Sequence, residues 1–404
     1  MSSLQGKNVL LGISGGIAAY KIPVLVRLLK KKGAAVRVVM TPDAHQFVTP
    51  LTLSTLSQEE VLTRFTAPTP EGHPEWNDHV ALGKWADYFL IAPATSNTLS
   101  AMVHAKCNNL LIATYLSATC PIFIAPAMDL DMYAHPANQK NLEQLQNTGH
   151  QVLPVGEGFL ASGLEGKGRM LEPEVILDYL EAYNGDHPPL LNKKVLITAG
   201  PTYEAIDPVR FIGNFSSGKM GFALAEAAAA RGAEVILVSG PTHLQTEFPN
   251  IEVERVQTAD EMYAAVHKHY ATVDYAIAAA AVADFKPQHA YNQKIKKNHD
   301  KLDTISLKPT PDILASMGVA KNHQVLIGFA LETTDELKQA KQKLHTKNLN
   351  AIVLNSLNDP GAGFSGDTNK VTLIFKDERT ISFPLQSKKE LANRLWEELL
   401  EYEH

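Results

Sequence analysis

The chain has 404 residues, of which 45% are apolar and 20% charged; this suits a soluble globular protein too long for one ordinary core. Its formal net charge of −6 divides into 13 basic and 17 acidic residues up to residue 190, and 24 and 26 beyond it. Neither half is a polyelectrolyte, which excludes a general nucleic-acid or anionic-membrane footprint, so basic residues that bind an anion must be locally placed.

The opening MSSLQGKNVLLGIS carries no cationic segment ahead of an apolar signal core. No run approaches the roughly 18 consecutive apolar residues of a membrane helix. Cys107 and Cys120 lie 13 residues apart without a CxxC or a nearby His pair, which argues against a disulfide framework or structural zinc. A cytoplasmic protein is expected.

Short β-branched runs alternate with helical patterns through the first half: NVLLGIS (8–14), AVRVVMT (35–41), YFLIAP (88–93), PIFIAP (121–126) and QVLPV (151–155). A helical pattern ending VRLLKKKG lies between the first two, with lysines in its last turn and Gly33 as its stop. Fully apolar strands alternating with helices predict a parallel sheet covered on both faces. The pattern restarts at residue 194. KVLITAG predicts a strand, a helix starts near Ser217 and stops at Gly232, and EVILVSG is the next strand. Further strands are expected at 274–280, 324–330 and 351–356. The join YLEAYNGDHPPLLNKK holds Asn-Gly and Pro-Pro signals, so the chain reads as two α/β domains, 1–190 and 191–404.

The stretch GISGGIAAYK (12–21) follows a strand and is expected to open a helix, an arrangement that admits a phosphate to free backbone N–H groups. The spacing is GxxGG rather than GxGxxG, and the second strand ends in Thr41 rather than in a ribose-gripping acid. Both features oppose a nicotinamide dinucleotide and favour a mononucleotide. A second loop, APATSNTLSAM (92–102), offers the short donors Thr95, Ser96, Asn97 and Thr98; such a cluster also serves as a helix cap.

GISGGIAAYK, HVALGKWADYFLIAPATSNT and APAMDLDMY together resemble the flavin-dependent cysteine decarboxylases. With the second half included, nearly the whole chain resembles, in family order, the bacterial bifunctional phosphopantothenoylcysteine decarboxylase/phosphopantothenate–cysteine ligases of coenzyme A biosynthesis. The resemblance implies an α/β chain of two tandem Rossmann-like domains. The first would be a flavodoxin-like cysteine decarboxylase fold, and the second a ligase domain with a mainly parallel sheet.

In that family FMN withdraws electrons from the cysteinyl thiol side, the product loses CO2, and the reduced flavin returns the electrons. The resemblance assigns Gly12, Ser14, Gly15, Gly16, Thr41, Phe47, Pro93, Ala94, Thr95, Ser96 and Asn97 to FMN, and makes His79 the catalytic histidine. Met128 and Asp129 match a substrate clamp, P-x-M-N-x-x-M, that receives the departing carboxylate. Asp129 stands where the pattern has Asn. Two carboxylates about 4 Å apart repel by about 4 kcal/mol at an effective dielectric of 20. A neutral Asp129 donating as an amide does would remove the conflict; so would a nearby lysine, or Asp131 taking the contact. The Gly-rich stretch 158–170 resembles the family's flap, with Ser162 in place of a cysteine. A hydroxyl is a far weaker acid than a thiol, so Ser162 is expected only to orient substrate, leaving proton donation to Glu165 or water.

The stretch 197–221 resembles the ligase family's substrate loop. There a nucleotide activates a carboxylate as an acyl nucleotidylate, which calls for cations near the triphosphate and a divalent ion. The resemblance makes Asn214 the residue that stabilises or orients the acyl intermediate and Lys294, in QKIKK, the triphosphate lysine. Arg210, Ala280 and Ala281 would contact 4′-phosphopantothenate, the arginine across a dimer interface. Ala278, Ala279, Ala280, Asp284, Pro311, Asp312, Ile313, Leu314, Phe329, Lys343 and Lys347 would bind CTP, with Asp284 also meeting Mg2+. The alanine run 278–281 also reads as a tightly packed buried strand.

The implied partners are the small molecules 4′-phosphopantothenate, cysteine and CTP. A homo-oligomer is also implied, with decarboxylase trimers, ligase dimers and dodecamers of fused chains. A flavin-binding regulatory protein without turnover is the competing reading, motivated by Asp129 and Ser162; a nicotinamide oxidoreductase fails on glycine spacing.

Overall fold

The structure, a computed structural model, describes residues 3–67, 75–183, 188–296, 304–332, 335–356 and 366–403. The chain splits into two compact units, Met1–Asp186 and His187–His404. Part of the Asn-Gly join, and Lys297 of the QKIKK cluster, lie outside the described residues.

In the first unit six parallel strands run edge to edge as Val61–Leu62, Ala35–Met40, Asn8–Ile13, Tyr88–Ala94, Ile122–Pro126 and Gln151–Val152. In chain order this is 3-2-1-4-5-6, so the winding reverses between Asn8–Ile13 and Tyr88–Ala94. Two adjacent interior strands are buried along their whole length because helices cover both faces: every residue of Tyr88–Ala94 and of Ile122–Pro126 is buried. Leu10, Val39, Phe89, Ile91, Leu111 and Ile124 meet in one core cluster. Each contributes on the order of 1.5–3 kcal/mol by leaving water.

The Gly-rich turn does not open directly into an α-helix. A 3-10 turn, Ile17–Lys21, comes first, and the α-helix Ile22–Lys31 follows. Pro23 has no N–H to offer the Ala19 carbonyl, which instead accepts from Ile22, tightening this turn. The α-helix buries Ile22, Leu25, Val26 and Leu29, one stripe at helical spacing, and Gly33 stops it at φ +83°.

The second unit repeats the winding. Its sheet runs Ile251–Arg255, Glu234–Ser239, Lys194–Ala199, Tyr275–Ala278, Val325–Glu332, Ala351–Ser356, Thr368–Phe375 and Thr380–Ser387. The first six strands are parallel and the last two antiparallel. That closing ribbon, and the edge strand Ile251–Arg255, are additions to the expected set. The helix starts at Lys219, two residues after the expected Ser217. It runs Lys219–Ala230 over the first strand, and the last helix, Lys388–Glu403, packs on it through fully buried Trp396, whose Nε1 donates to Leu224 O at 3.0 Å. Among the described residues, no helix is long and apolar enough to cross a membrane.

Helix Lys219–Ala230 lies so close to its strand that a Cβ at Gly221 would sit 2.5 Å from Ala199 Cβ and 3.0 Å from Ala199 Cα. Backbone cannot give way there as a long side chain would. Gly221→Ala is expected to lower the unfolding free energy by about 1–3 kcal/mol, read as a reduced urea midpoint; an unchanged midpoint would mean the helix is free to lift.

Candidate functional sites

The reversal in the first sheet opens a cavity of about 820 Å³, within the size range of small-molecule sites. One wall is the Gly-rich turn and the loop after the second strand, Ser14–Gly16 and Thr41–Asp43; another is Thr95–Thr98. Ser14 is fully buried. Its Oγ donates to Pro93 O at 2.6 Å and accepts from Thr95 N–H at 3.0 Å, so the hydroxyl braces two strand ends. Gly15 is required by close approach, since a Cβ would lie 2.7 Å from Asp43 Cβ. Thr41 Oγ1 is buried and has no partner among the described residues, although its residue faces the cavity. A buried orphan hydroxyl beside a glycine turn suits a polar ligand group.

The opposite wall is Ala127–Asp129, Met132 and the hairpin Gly156–Phe159/Glu165–Arg169 with its tip residues Leu160 and Ala161. Asp129 caps the short helix Leu130–Ala134, its Oδ1 accepting from Leu130 N–H at 2.7 Å. An asparagine oxygen would fill that role equally. Met128 N–H donates to Gly168 O at 3.0 Å, and Gly168, at φ +137°, leaves no room for a Cβ against Met128 O. The hairpin is thus laid flat on the clamp. Lys21, 4% exposed, also lines the cavity; its Nζ bonds Met170 O and Glu172 Oε1, both at 2.8 Å. The compensating lysine sought for Asp129 is therefore already engaged with Glu172, and Asp131 is exposed outside the cavity lining.

Thr41, Ser14–Gly16, Thr95–Asn97, Met128 and Asp129 come together as expected positions on one cavity. Gly12, Pro93 and Ala94 do not line it; they belong to the strands behind it, and a Cβ at Gly12 would meet Phe89 Cε2 at 3.0 Å. Phe47 is 40% exposed and also off the lining. Ser162 is exposed and off the lining, its Oγ accepting from Leu164 N–H at 3.4 Å. His79 is the first residue of helix His79–Trp85, capped by Asp78, and lies against the Phe65 and Trp76 rings rather than on the cavity. Its Nδ1 is buried without a partner among the described residues. Asn108 and Asn109, which sequence reasoning passed over, line the cavity; Asn109 caps helix Leu110–Ser117, the one signal that marks it.

The second unit carries a smaller cavity of about 130 Å³ at the equivalent reversal, formed by Ser216–Gly221, Ala279–Ala281, Phe329–Leu331, Asn355, Asn369 and Lys388. Of the expected residues it gathers Ala279, Ala280, Ala281 and Phe329. Asn214 stands beside it, Nδ2 donating to Ala281 O at 2.9 Å and Val282 O at 3.1 Å. Arg210 pairs with buried Asp207 of its own chain at 3.1 Å. Asp207 also accepts from Ile295 N–H, and Arg210 donates to Ile295 O at 3.4 Å, so the loop bearing exposed Lys294 lies next to Arg210. Ala278 ends its strand without lining the cavity, and Ile313 is in the core. Leu314 packs against that core, while Pro311 stays half-buried, Asp284 is exposed and Lys343 belongs to helix Glu336–Thr346. No cluster of three or more His, Cys, Asp or Glu suited to a metal ion occurs among the described residues.

The fold and these two cavities define a tandem doubly wound α/β protein whose first unit has the pocket of a flavoprotein. Residues 1–185 match the Flavoprotein family model, and residues 190–402 match the DNA/pantothenate metabolism flavoprotein C-terminal domain. The chain is 44% identical over 398 residues to the coenzyme A biosynthesis bifunctional protein CoaBC of Bacillus subtilis, covering 98% of this chain and 97% of that one. It is 49% identical over 362 residues to a cysteine/cysteine sulfinic acid decarboxylase of an unknown prokaryotic organism, covering 88% and 100%. A crystal structure of a CoaBC C-terminal domain is 43% identical, with a TM-score of 0.46, over 53% of this chain and 97% of that one. The chain belongs to the bifunctional coenzyme A biosynthesis family CoaBC, with a flavoprotein decarboxylase half and a ligase half.

Asp312 caps helix Ile313–Ala320 and pairs with Lys347 at 2.8 Å. Partial burial works to raise its carboxyl, but the Lys347 hydrogen bond, the Ala315 N–H and the charges of Lys347 and Lys343 together hold it below its ordinary value. With the folded value depressed, the pair's stabilisation is present above the ordinary value of about 3.9 and is lost as pH falls through the folded one. In Lys347→Met the Asp312 carboxyl is expected to titrate higher by carbon-detected NMR; an unmoved curve would exclude the pair as the cause.

Proposed function

We propose that the protein makes 4′-phosphopantetheine from 4′-phosphopantothenate and cysteine. The second unit would join them with CTP and Mg2+ through an acyl-cytidylate, releasing pyrophosphate. The first would decarboxylate the 4′-phosphopantothenoylcysteine so formed. The observation that carries the reading is the buried, unpartnered Thr41 hydroxyl on a cavity faced by a glycine turn on one side and the Met128–Asp129 clamp on the other. FMN, when bound, supplies the sink from which electrons are later returned.

Gly15, Gly16 and Thr41, with Thr95, Ser96 and Asn97, would hold FMN, while Ser14 fixes the loop spacing. Met128 and Asp129 orient the cysteinyl carboxylate, and Phe159–Ala161 exclude water from it. His79 and Phe47 lie off their own chain's cavity, so they serve the cavity of a neighbouring copy in the trimer that the family implies. In the ligase unit, Asn214 orients the acyl group, Arg210 and Lys294 meet anionic oxygens, and Mg2+ takes Asp284 together with nucleotide phosphates and water. The enzyme would act in the cytoplasm, its ligase units paired as dimers.

One residue favours a second reading of the first unit. An ionised Asp129 repels an acylated cysteine, which carries no cation, but attracts the α-ammonium of free cysteine about as strongly as it repels the carboxylate. The name of the 49% relative, a cysteine/cysteine sulfinic acid decarboxylase, supports that alternative.

Two experiments bear on this. Asp129→Asn is expected to keep 4′-phosphopantothenoylcysteine turnover within about tenfold of wild type; a loss of several hundredfold, with free cysteine the better wild-type substrate, would favour the second reading. His79→Asn and Asp129→Ala subunits, each inactive alone, should regain CO2 release when co-assembled. Absence of rescue would return His79 to its own chain's site.

A further inference from the structure

In the second unit the hairpin Tyr203–Ala205/Phe211–Gly213 turns through residues 206–210 and leads directly into Asn214. Asp207 sits inside that turn, its side chain fully buried. Its two oxygens have different tasks. Oδ1 accepts from the N–H groups of Val209 and Arg210, both at 2.8 Å, which closes the turn. Oδ2 accepts from Arg210 Nη1 at 3.1 Å and from Ile295 N–H at 3.2 Å, and Ile295 lies 88 residues further along the chain.

Closing a turn needs only an acceptor oxygen, which an asparagine supplies without a charge. A buried carboxylate is costly to desolvate, so the use of a full charge here has to be sought in what Oδ2 reaches. Burial works to raise the carboxyl, but the N–H groups of Val209, Ile295 and Arg210, and then the Arg210 charge, hold it below its ordinary value. Asp207 is therefore ionised near neutral pH, and a charged acceptor makes the stronger bonds. The distant segment is fixed on both sides of Lys294. Tyr291 N–H donates to Ile206 O at 2.9 Å. Ile295, itself buried, bonds through its N–H to Asp207 and through its carbonyl to Arg210 Nη2 at 3.4 Å. Lys294, between these two anchors, is exposed.

We propose that Asp207 is a positioning residue of the ligase reaction. Its Oδ2 holds the loop that carries Lys294 against the hairpin that carries Arg210 and leads into Asn214, so the triphosphate lysine is kept in register with the residue that orients the acyl group. This rests on the ligase reading above and adds to it the group through which Lys294 is delivered. Being buried, Asp207 acts through these neighbours and not on the substrates themselves.

Asp207→Asn keeps an oxygen for the turn and places an amide NH2, a donor, where Arg210 Nη1 and Ile295 N–H need an acceptor. Full-length wild type, Asp207→Asn, Lys294→Met and the double variant are compared by steady-state pyrophosphate release from 4′-phosphopantothenate, cysteine and CTP–Mg2+, with urea midpoints read in parallel. Asp207→Asn is expected to lower kcat/KM for CTP roughly tenfold to a hundredfold, the worth of a hydrogen bond to a charged group. Lys294→Met should then cost at least about fivefold less in the Asp207→Asn background than in wild type, because the lysine is no longer delivered. A purely structural Asp207 would leave the two losses multiplying. Losses that multiply, or an Asp207→Asn variant as active as wild type, overturn the proposal. Should Asp207→Asn show no cooperative urea transition, Asp207→Ser, whose hydroxyl can still close the turn, carries the same expectation. If wild type itself releases no pyrophosphate, the ligase reading falls and this role falls with it.

Discussion

A hydroxyl at the end of the first strand braces each unit at the point where its sheet reverses. In the first unit Ser14 Oγ accepts from Thr95 N–H, and in the second Thr198 Oγ1 accepts from Ala280 N–H at 3.1 Å. Both side chains are buried, so each bond is made away from competing water. Neighbouring parallel strands send their chains to opposite faces at this position, and a crevice opens beyond their carboxyl ends. The brace keeps that crevice at a fixed width. In the first unit the lining turn at Gly15 and the loop Thr95–Asn97, and in the second the lining residues Ala280 and Ala281, follow directly from strand ends joined in this way.

What could be read from the residues follows from this architecture. Fully buried parallel strands appear as unbroken apolar runs, so NVLLGIS, YFLIAP and AIVLNS announce themselves. Thr368–Phe375 and Thr380–Ser387 do not, because the first opens on polar residues ahead of its buried Leu373–Phe375 and the second, at the sheet edge, buries only Phe383. Cavity residues divide in the same way. Those next to glycine turns or in the Met–Asp clamp have a local pattern. Lys21, Lys219 and Lys388 have none: each looks like a surface lysine until the fold buries it or brings a distant chain segment against it. Gly12, Pro93 and Ala94 lie on the motif-bearing strands and stand behind the cavity lining.

Charge placement separates the two sites. The first cavity holds Asp43 and Asp129 beside Lys21 and Arg169, and both cations bond the one carboxylate of Glu172. Little positive charge on this lining is left unpaired. The second cavity has cations without acids on its lining. One pocket is thus suited to a reaction in which a carboxylate is expelled, and the other to one in which phosphoryl charge gathers.

The central claim is that the second unit's amide product is the first unit's substrate. Purified full-length protein given FMN, 4′-phosphopantothenate, [1-13C]cysteine, CTP and Mg2+ should release pyrophosphate first and then an equal amount of 13CO2, with no 13CO2 when CTP is withheld. Undiminished 13CO2 without CTP, or pyrophosphate with no 13CO2 after it, would contradict the coupling.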